Sequence, residues 1–477
     1  MPRLTVSFSP LIGTYASDLV IGQEENAFPA IGIEILKNGV INTRAGNDTI
    51  EGSGIGGDDF NQAGTGTGIA NSGIINAGKG DDTISGIGSG GSQYRETAHG
   101  TGIFNTEGGY INGGDGKDFI SGNGNEGIFN TEGSYIDGGK GDDFISGTGN
   151  YFEGSGIGIF NTEGSYINGG EGNDSIFGTG FGGASFQGGG TGISNDGGSV
   201  ISGGKGDDSI TGIGRGSSGS GDPIGRTYPA GVGIGISNTQ GSYIVGGEGN
   251  DSLSGTGIGG AGESLPFGDY AANAGIGIIN RGSIAQGRGD DFISGTGNGG
   301  IAEGTGRSAD GTGIVNSGII SLGDGKDTII GTGISGGVEA ISIGILNTDG
   351  IICGGGGSDT LTGYGTSIGI QGGTIDGGNG NDYFKARRVD ASSNPVSDQG
   401  GVIADVLIKG GFGCDTFDVG YGNGTINGGW GWDKLILPEF KNDYIITGSS
   451  NNYTIKRDEF TLSVLNVEQI VFLGVSS

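Results

Sequence analysis

The feature that most constrains this chain is a phrase repeated along almost its whole length. Its anchor is an aspartate, met thirteen times: Asp48, Asp82, Asp118, Asp143, Asp174, Asp208, Asp251, Asp291, Asp327, Asp359, Asp382, Asp415 and Asp433. A glycine stands two residues before every one, from Gly46 to Gly431, and four residues before all but the first, where Arg44 takes the place. Seven residues before each anchor the residue is isoleucine, from Ile41 to Ile426, and two residues after it is always Ile, Leu or Phe. A glycine-rich background could supply the glycines by chance, but not an isoleucine at one fixed offset. Glycine makes up 121 of 477 residues and the apolar set only 32%. A single unit is therefore too poor in apolar surface to fold alone, and neighbouring units must stack to bury their isoleucines together.

The shortest units, Asp118 to Asp143 and Asp359 to Asp382, are 25 and 23 residues long. That is room for three strands of a few residues joined by three tight turns. Upstream of most anchors lies a further element, GIFN at 102–105, 127–130 and 158–161 and GISN at 192–195 and 235–238. The two-residue period of a strand puts Ile157, Ile159 and Asn161 on one inward face, with the asparagine closing a corner. The same structural role is expected of Asn105, Asn130, Asn195, Asn238, Asn280, Asn316 and Asn347. The fold class that follows is all-β: a parallel β-helix or β-roll solenoid of roughly eleven coils, about three short strands per coil, successive coils about 4.8 Å apart.

Longer units carry their extra residues in one place, after the strand that follows the anchor: 89–99, 181–190, 215–230 and 258–274. These insertions should emerge along one edge, where their Tyr, Phe, Arg and Pro content suits partner contact, a glycan among the candidates. The expected organisation is a lead-in strand segment over 1–30, the repeat solenoid over 31–384, and a break at 385–399 (KARRVDASSNPVSDQ). Roll-like turns of two strands follow to 435, then a small antiparallel β cap over 436–477.

Lys+Arg of 22 against Asp+Glu of 53 leaves a formal charge of −31, which argues against nucleic acid or an anionic membrane as partner. No run of about 18 apolar residues could span a membrane. Residues 1–9 lack the apolar core of an N-terminal secretion signal. Cys353 and Cys414 sit at different places in their repeats, so they read as free, buried small residues rather than a disulfide framework. Divalent cations are the natural counter-charge. Calcium takes six to eight oxygens from carboxylates and backbone carbonyls, and a glycine-rich turn can aim carbonyls at one point. Stacked aspartates without a cation would form a repelling column. Thirteen stacked turns leave about twelve gaps, so up to about twelve Ca2+ ions would offset most of the charge. Asp81, Asp142, Asp207 and Asp290 add a second carboxylate, which either strengthens such sites or faces water.

The segments GGDGKDFIS, GGKGDDFIS, GGEGNDSIF, GGKGDDSIT, GGEGNDSLS and GGNGNDYFK closely resemble the RTX nonapeptide, G-G-x-G-x-D-x-apolar-x, over residues 43 to about 435. The resemblance implies a roll or helix that folds on binding calcium outside the cell, and export directed by an uncleaved C-terminal signal. Carried over by position, it makes the thirteen anchors carboxylate ligands. It makes Gly113, Gly138, Gly169, Gly203, Gly246, Gly354, Gly377, Gly410 and Gly428 carbonyl donors. This chain has one nonapeptide per long coil, so one calcium column is expected where a β-roll has two. The copies at 43–50, 285–292 and 321–328 are imperfect, which puts their occupancy in doubt.

The single histidine, His99, lies in an insertion, which excludes an HExxH zinc site and disfavours a Ser-His-Asp hydrolase. GTSIG (365–369) and GISGG (333–337) match a nucleophile-elbow pattern only because glycine is abundant, and no catalytic residue is assigned. The reading that follows is a secreted, calcium-binding structural protein of the cell surface or extracellular matrix, used in a coat, adhesion or a fibril formed by self-assembly. The alternative is a β-helix enzyme, a lyase or epimerase, acting on an acidic polysaccharide.

Overall fold

The computed structural model describes all residues except 1, 60–61, 93–96, 152–153, 184–187, 222–226, 229, 263, 266–267, 270–271, 303–306, 338, 397–399 and 475–477. The tips of the four long insertions, and the end of the 385–399 stretch, lie outside the described residues.

The chain forms a parallel β-solenoid. A typical coil is that of Asp118: a first strand Gly100–Asn105, a second Tyr110–Asp115 and a third Phe119–Gly124. Each strand pairs in parallel with its counterparts one coil before and one coil after, Ile111 lying between Ile75 and Ile136 in the same register. The third strands alone make a fifteen-stranded parallel sheet. More coils stack than the anchors suggest, because both ends continue without the glycine phrase. Leu4–Val6, Leu11–Ile12 and Leu19–Ala27 pair with the strands of the Asp48 coil.

Most coils send one isoleucine inward from each of three sides. Ile103, Ile111 and Ile120 are all at most 1% exposed, and the trio recurs along the stack, with Leu253, Leu361 and Phe384 taking the third place in their coils. Ile and Gly alternate along these strands, so the branched side chain fills the core while the glycine lets the opposite wall approach. One expectation is corrected here: Ile159 and Asn161 face inward, whereas Ile157 is half-buried on the outside. The strand breaks its alternation at Gly158, whose missing side chain leaves space for the backbone of Thr179 and Gly192.

The turn between second and third strands explains the glycine phrase. The glycines four and two residues before the anchors adopt φ between +100° and +156°, as in Gly139 (+114°) and Gly141 (+120°), and Arg44 in the first turn also has positive φ, +76°. A Cβ on Gly141 would also strike the carbonyl of Gly116 in the coil below. Glycine is thus required both for the turn and for the stacking distance.

The break expected at 385–399 begins later: stacked strand continues to Arg388, Val389 then bridges antiparallel to Pro395, and stacking resumes at Gly400. Tyr383–Arg388 joins the third-strand sheet, and the 14-residue strand Gly400–Gly413 fuses first and second strands into one. Tyr421–Gly431 is fused in the same way, so the Asp433 coil has two strands, as the 18-residue spacing predicts. Ile445–Ser449, Asn452–Arg457 and Phe460–Leu465 then pair antiparallel, the last lying parallel against Tyr421–Gly431, and the final strand Gln469–Phe472 returns in parallel beside Lys434–Leu437, so the expected antiparallel cap is only partly antiparallel. No helix among the described residues is long and apolar enough to cross a membrane.

Candidate metal-binding corner

All thirteen anchor aspartates stand in one file at the corner between second and third strands, each at most 5% exposed. They are tied together. The backbone N–H of Asp82 donates to Asp118 Oδ1 at 2.8 Å, that of Asp118 to Asp143 Oδ1 at 2.7 Å, and that of Asp143 to Asp174 Oδ1 at 2.7 Å. The same bond, 2.7–2.9 Å long, links every neighbouring pair from Asp48 to Asp433. Adjacent anchors are therefore joined by a hydrogen bond from the backbone of one to the carboxylate of the next, while their carboxylates are opposed by charge.

The other oxygen is different. In all thirteen anchors Oδ2 is buried and has no hydrogen-bond partner. Burial pushes the Asp82 carboxyl up to about 6, that of Asp118 to about 7 and that of Asp143 to about 8, with like charge from neighbouring anchors adding to the effect. A file of bare buried carboxylates is costly, so the corner calls for a counter-charge or a proton.

The nine glycines five residues before their anchors lie beside these orphan oxygens. A Cβ at Gly113 would collide with both Asp118 Oδ2 and the Gly138 carbonyl oxygen. Gly138, Gly169, Gly203, Gly354, Gly377 and Gly410 repeat this arrangement, each beside its own anchor's Oδ2 and the carbonyl of the matching glycine one coil on. At Gly246 the neighbour is Gln286, and at Gly428 it is the Asn466 carbonyl. The absent side chain thus makes a cradle in which a carboxylate oxygen and a carbonyl oxygen converge, the hard-oxygen donor set that calcium prefers. Between the Asp359 and Asp382 coils a cavity of about 10 Å³ opens, lined in part by Gly354, Asp359 and Gly377. That is near the room one water molecule needs. Among the described residues no three His, Cys, Asp or Glu side chains converge on one point. An ion here would draw most of its oxygens from the backbone.

Four coils fill the cradle differently, with Thr43, Ala77, Gln286 and Leu322 five residues before Asp48, Asp82, Asp291 and Asp327. Thr43 Oγ1 donates to the Ala77 carbonyl at 2.7 Å. Gln286 is 1% exposed, and its Nε2 has no partner, as Asp251 Oδ2 has none.

Three parts of the corner escape the repeat pattern. At the start, the Asp18 N–H donates to Asp48 Oδ1; at the end, Glu468 Oε2 accepts the Asp433 N–H at 2.8 Å, standing in for a further anchor. The third is an outer file one residue before the anchors, with opposite polarity. Asp81 Oδ1 accepts the Lys117 N–H, Asp142 Oδ1 that of Asn173, Asp207 Oδ1 that of Asn250, and Asp290 Oδ1 that of Lys326. The second carboxylates thus lie on the exposed side, capping the next coil's backbone, a role Asn47, Asn173, Asn250 and Asn381 share. Alternation of Asp and Asn at this place was the available signal.

Asparagines hold the opposite corner as expected. From Asn71 to Asn347, each Nδ2 donates to Oδ1 of the next at 2.7–2.9 Å. His99 Nε2 is 4.0 Å from Glu126 Oε1, its ring edge-on to Tyr151, and burial lowers its pKa. Both cysteines are free, Cys353 half-buried; Cys414, read from sequence as buried, is exposed because its place lies on the outer file. No protein-family model and no curated protein sequence matches the chain.

Proposed function

We propose that this chain is a calcium-ordered structural rod that works outside the cell or at its surface, in a coat, an adhesive layer or a fibril. The observation that carries the reading is the file of thirteen buried Oδ2 atoms without partners, most beside a backbone carbonyl one coil on. A divalent cation between coils neutralises two carboxylates at once and replaces the missing hydrogen bonds. The anchors and the nine glycines would hold it, and the likeness of the phrase to RTX nonapeptides points to calcium. Millimolar free calcium is an extracellular condition, which fits a protein that needs many ions of modest individual affinity. Magnesium, which demands compact octahedral geometry and keeps its waters, suits a carbonyl-lined slot less well.

Metal analysis, calorimetric titration and thermal melting of chelated and calcium-loaded protein test this. Calcium should bind at several sites, up to about one per gap, and raise the melting temperature cooperatively. The variant Asp143→Asn separates metal from structure. Its amide keeps an oxygen for the Asp118 N–H and turns an N–H toward the Gly169 carbonyl. It should melt higher than the parent in chelator and respond less to calcium. Equal melting with and without chelator, in protein free of metal, would sink the proposal.

A further inference from the structure

The outer face of the second strands carries, three residues before each anchor, a row whose charges alternate: Lys79, Asp115, Lys140, Glu171, Lys205, Glu248, Arg288 and Asp324. Beyond Asp324 the same row changes character, to Gly356, Asn379, Phe412 and Trp430. Phe412 and Trp430 stack with centroids 6.4 Å apart, yet remain 60% and 75% exposed. They border a cleft of about 450 Å³ floored by Gly378, Gly411 and Gly429. Its opposite side offers Lys409, whose Nζ is 3.4 Å from Asp376 Oδ2, and Asn427, whose Oδ1 accepts from Asn466 Nδ2 at 2.9 Å.

We propose that this cleft binds a neutral, hexose-based glycan, one pyranose ring stacking on Trp430 and its hydroxyls bonding to Lys409, Asn427 and Asn466. A large aromatic left exposed beside convergent amides suits a partner with an apolar C–H face and a polar rim. The volume is that of a small-molecule site rather than a protein interface. A polyanion is disfavoured twice, by the net charge of −31 and because Asp376 already neutralises Lys409. The site is separate from the buried anchor file, so it stands or falls apart from the calcium reading, and its test uses calcium-loaded protein throughout.

Trp430 and Trp432 are the two tryptophans of the chain. Trp432→Phe therefore leaves Trp430 as the sole tryptophan, excited selectively over the tyrosines at the red edge of absorption. Its fluorescence should shift saturably on titration with at least one of a set of neutral hexasaccharides (β-1,4-glucan, β-1,3-glucan, β-1,4-mannan, α-1,4-glucan), and not with polygalacturonate. By calorimetry, Trp430→Ala and, independently, Asn427→Ala should weaken that binding tenfold or more with unchanged circular dichroism. The inference is overturned if no hexasaccharide moves the emission, if binding survives both variants, or if sedimentation shows that Trp430 instead holds two copies of the chain together.

Discussion

Asn161 shows how much a single side chain carries in a stacked fold. Its Oδ1 accepts from Asn130, while its Nδ2 reaches Asn195 Oδ1 and the carbonyls of Ser165 and Val200. Asn161→Ala strands buried groups in the coils on both sides, each worth about 1–3 kcal/mol when left unpaired. Denaturant unfolding should show a loss of several times what a surface change costs, and Asn161→Asp should cost at least as much at neutral pH, because a carboxylate oxygen would then face the three acceptors that Nδ2 now serves. Glu126 makes the complementary case for charge. It sits in a row between Thr101 and Ile157, and burial raises its pKa to about 7. A carboxyl whose folded pKa lies above its unfolded value contributes most below pH 4, and that contribution fades as pH rises through 7. Glu126→Gln should therefore leave the melting temperature little changed at pH 5 and raise it at pH 8.

Among strands, register is held by several independent files, each reading one position per coil. The isoleucines set it inside, the Asn and Asp ladders at two corners, and the alternating charges on the outer face. The charge file is the weakest: Lys79–Asp115 (3.2 Å) and Lys205–Glu171 (3.4 Å) join side chains at least half exposed, worth well under about 1 kcal/mol each. Lys140→Glu, which sets three acids side by side, should cost at most about 1 kcal/mol, an effect abolished by 0.5 M salt. Gly141→Ala should cost far more. It needs φ of +120° from a residue with a Cβ, and that Cβ meets the Gly116 carbonyl. A local loss of amide protection around the Asp118 and Asp143 turns should accompany the drop in melting temperature.

At the scale of the whole rod, each coil touches chiefly its two neighbours, so stability adds up along one dimension. Deleting residues 119–143 removes one period, joining Asp118 to Phe144 with every file still in register. That variant should stay soluble and melt cooperatively, whereas deleting only 119–130 should leave unpaired edges and aggregate. Capping differs at the two ends. Glu468 closes the anchor file and the Phe460–Leu465 strand covers the last long strand, while the first coil leaves Phe8 and Tyr15 about 80% exposed.

Much of this was written in the order of residues. The isoleucine seven before each anchor and the apolar residue two after it demanded a stacked coil, because no single unit could bury them. The inward asparagines followed from the two-residue period, and the two-strand coil at Asp433 from an 18-residue spacing. What only the tertiary structure decided lies between coils, where partners are 18 to 43 residues apart and no local pattern marks them. It showed that each anchor splits its carboxylate, one oxygen tethering the neighbouring backbone and the other left bare beside a glycine. It also recruited Asp18 and Glu468 into the file without the repeat phrase. Composition and spacing can determine that strands stack. Which atom of a side chain meets which backbone group depends on the 4.8 Å approach of two coils, and that distance exists only once the chain has wound on itself.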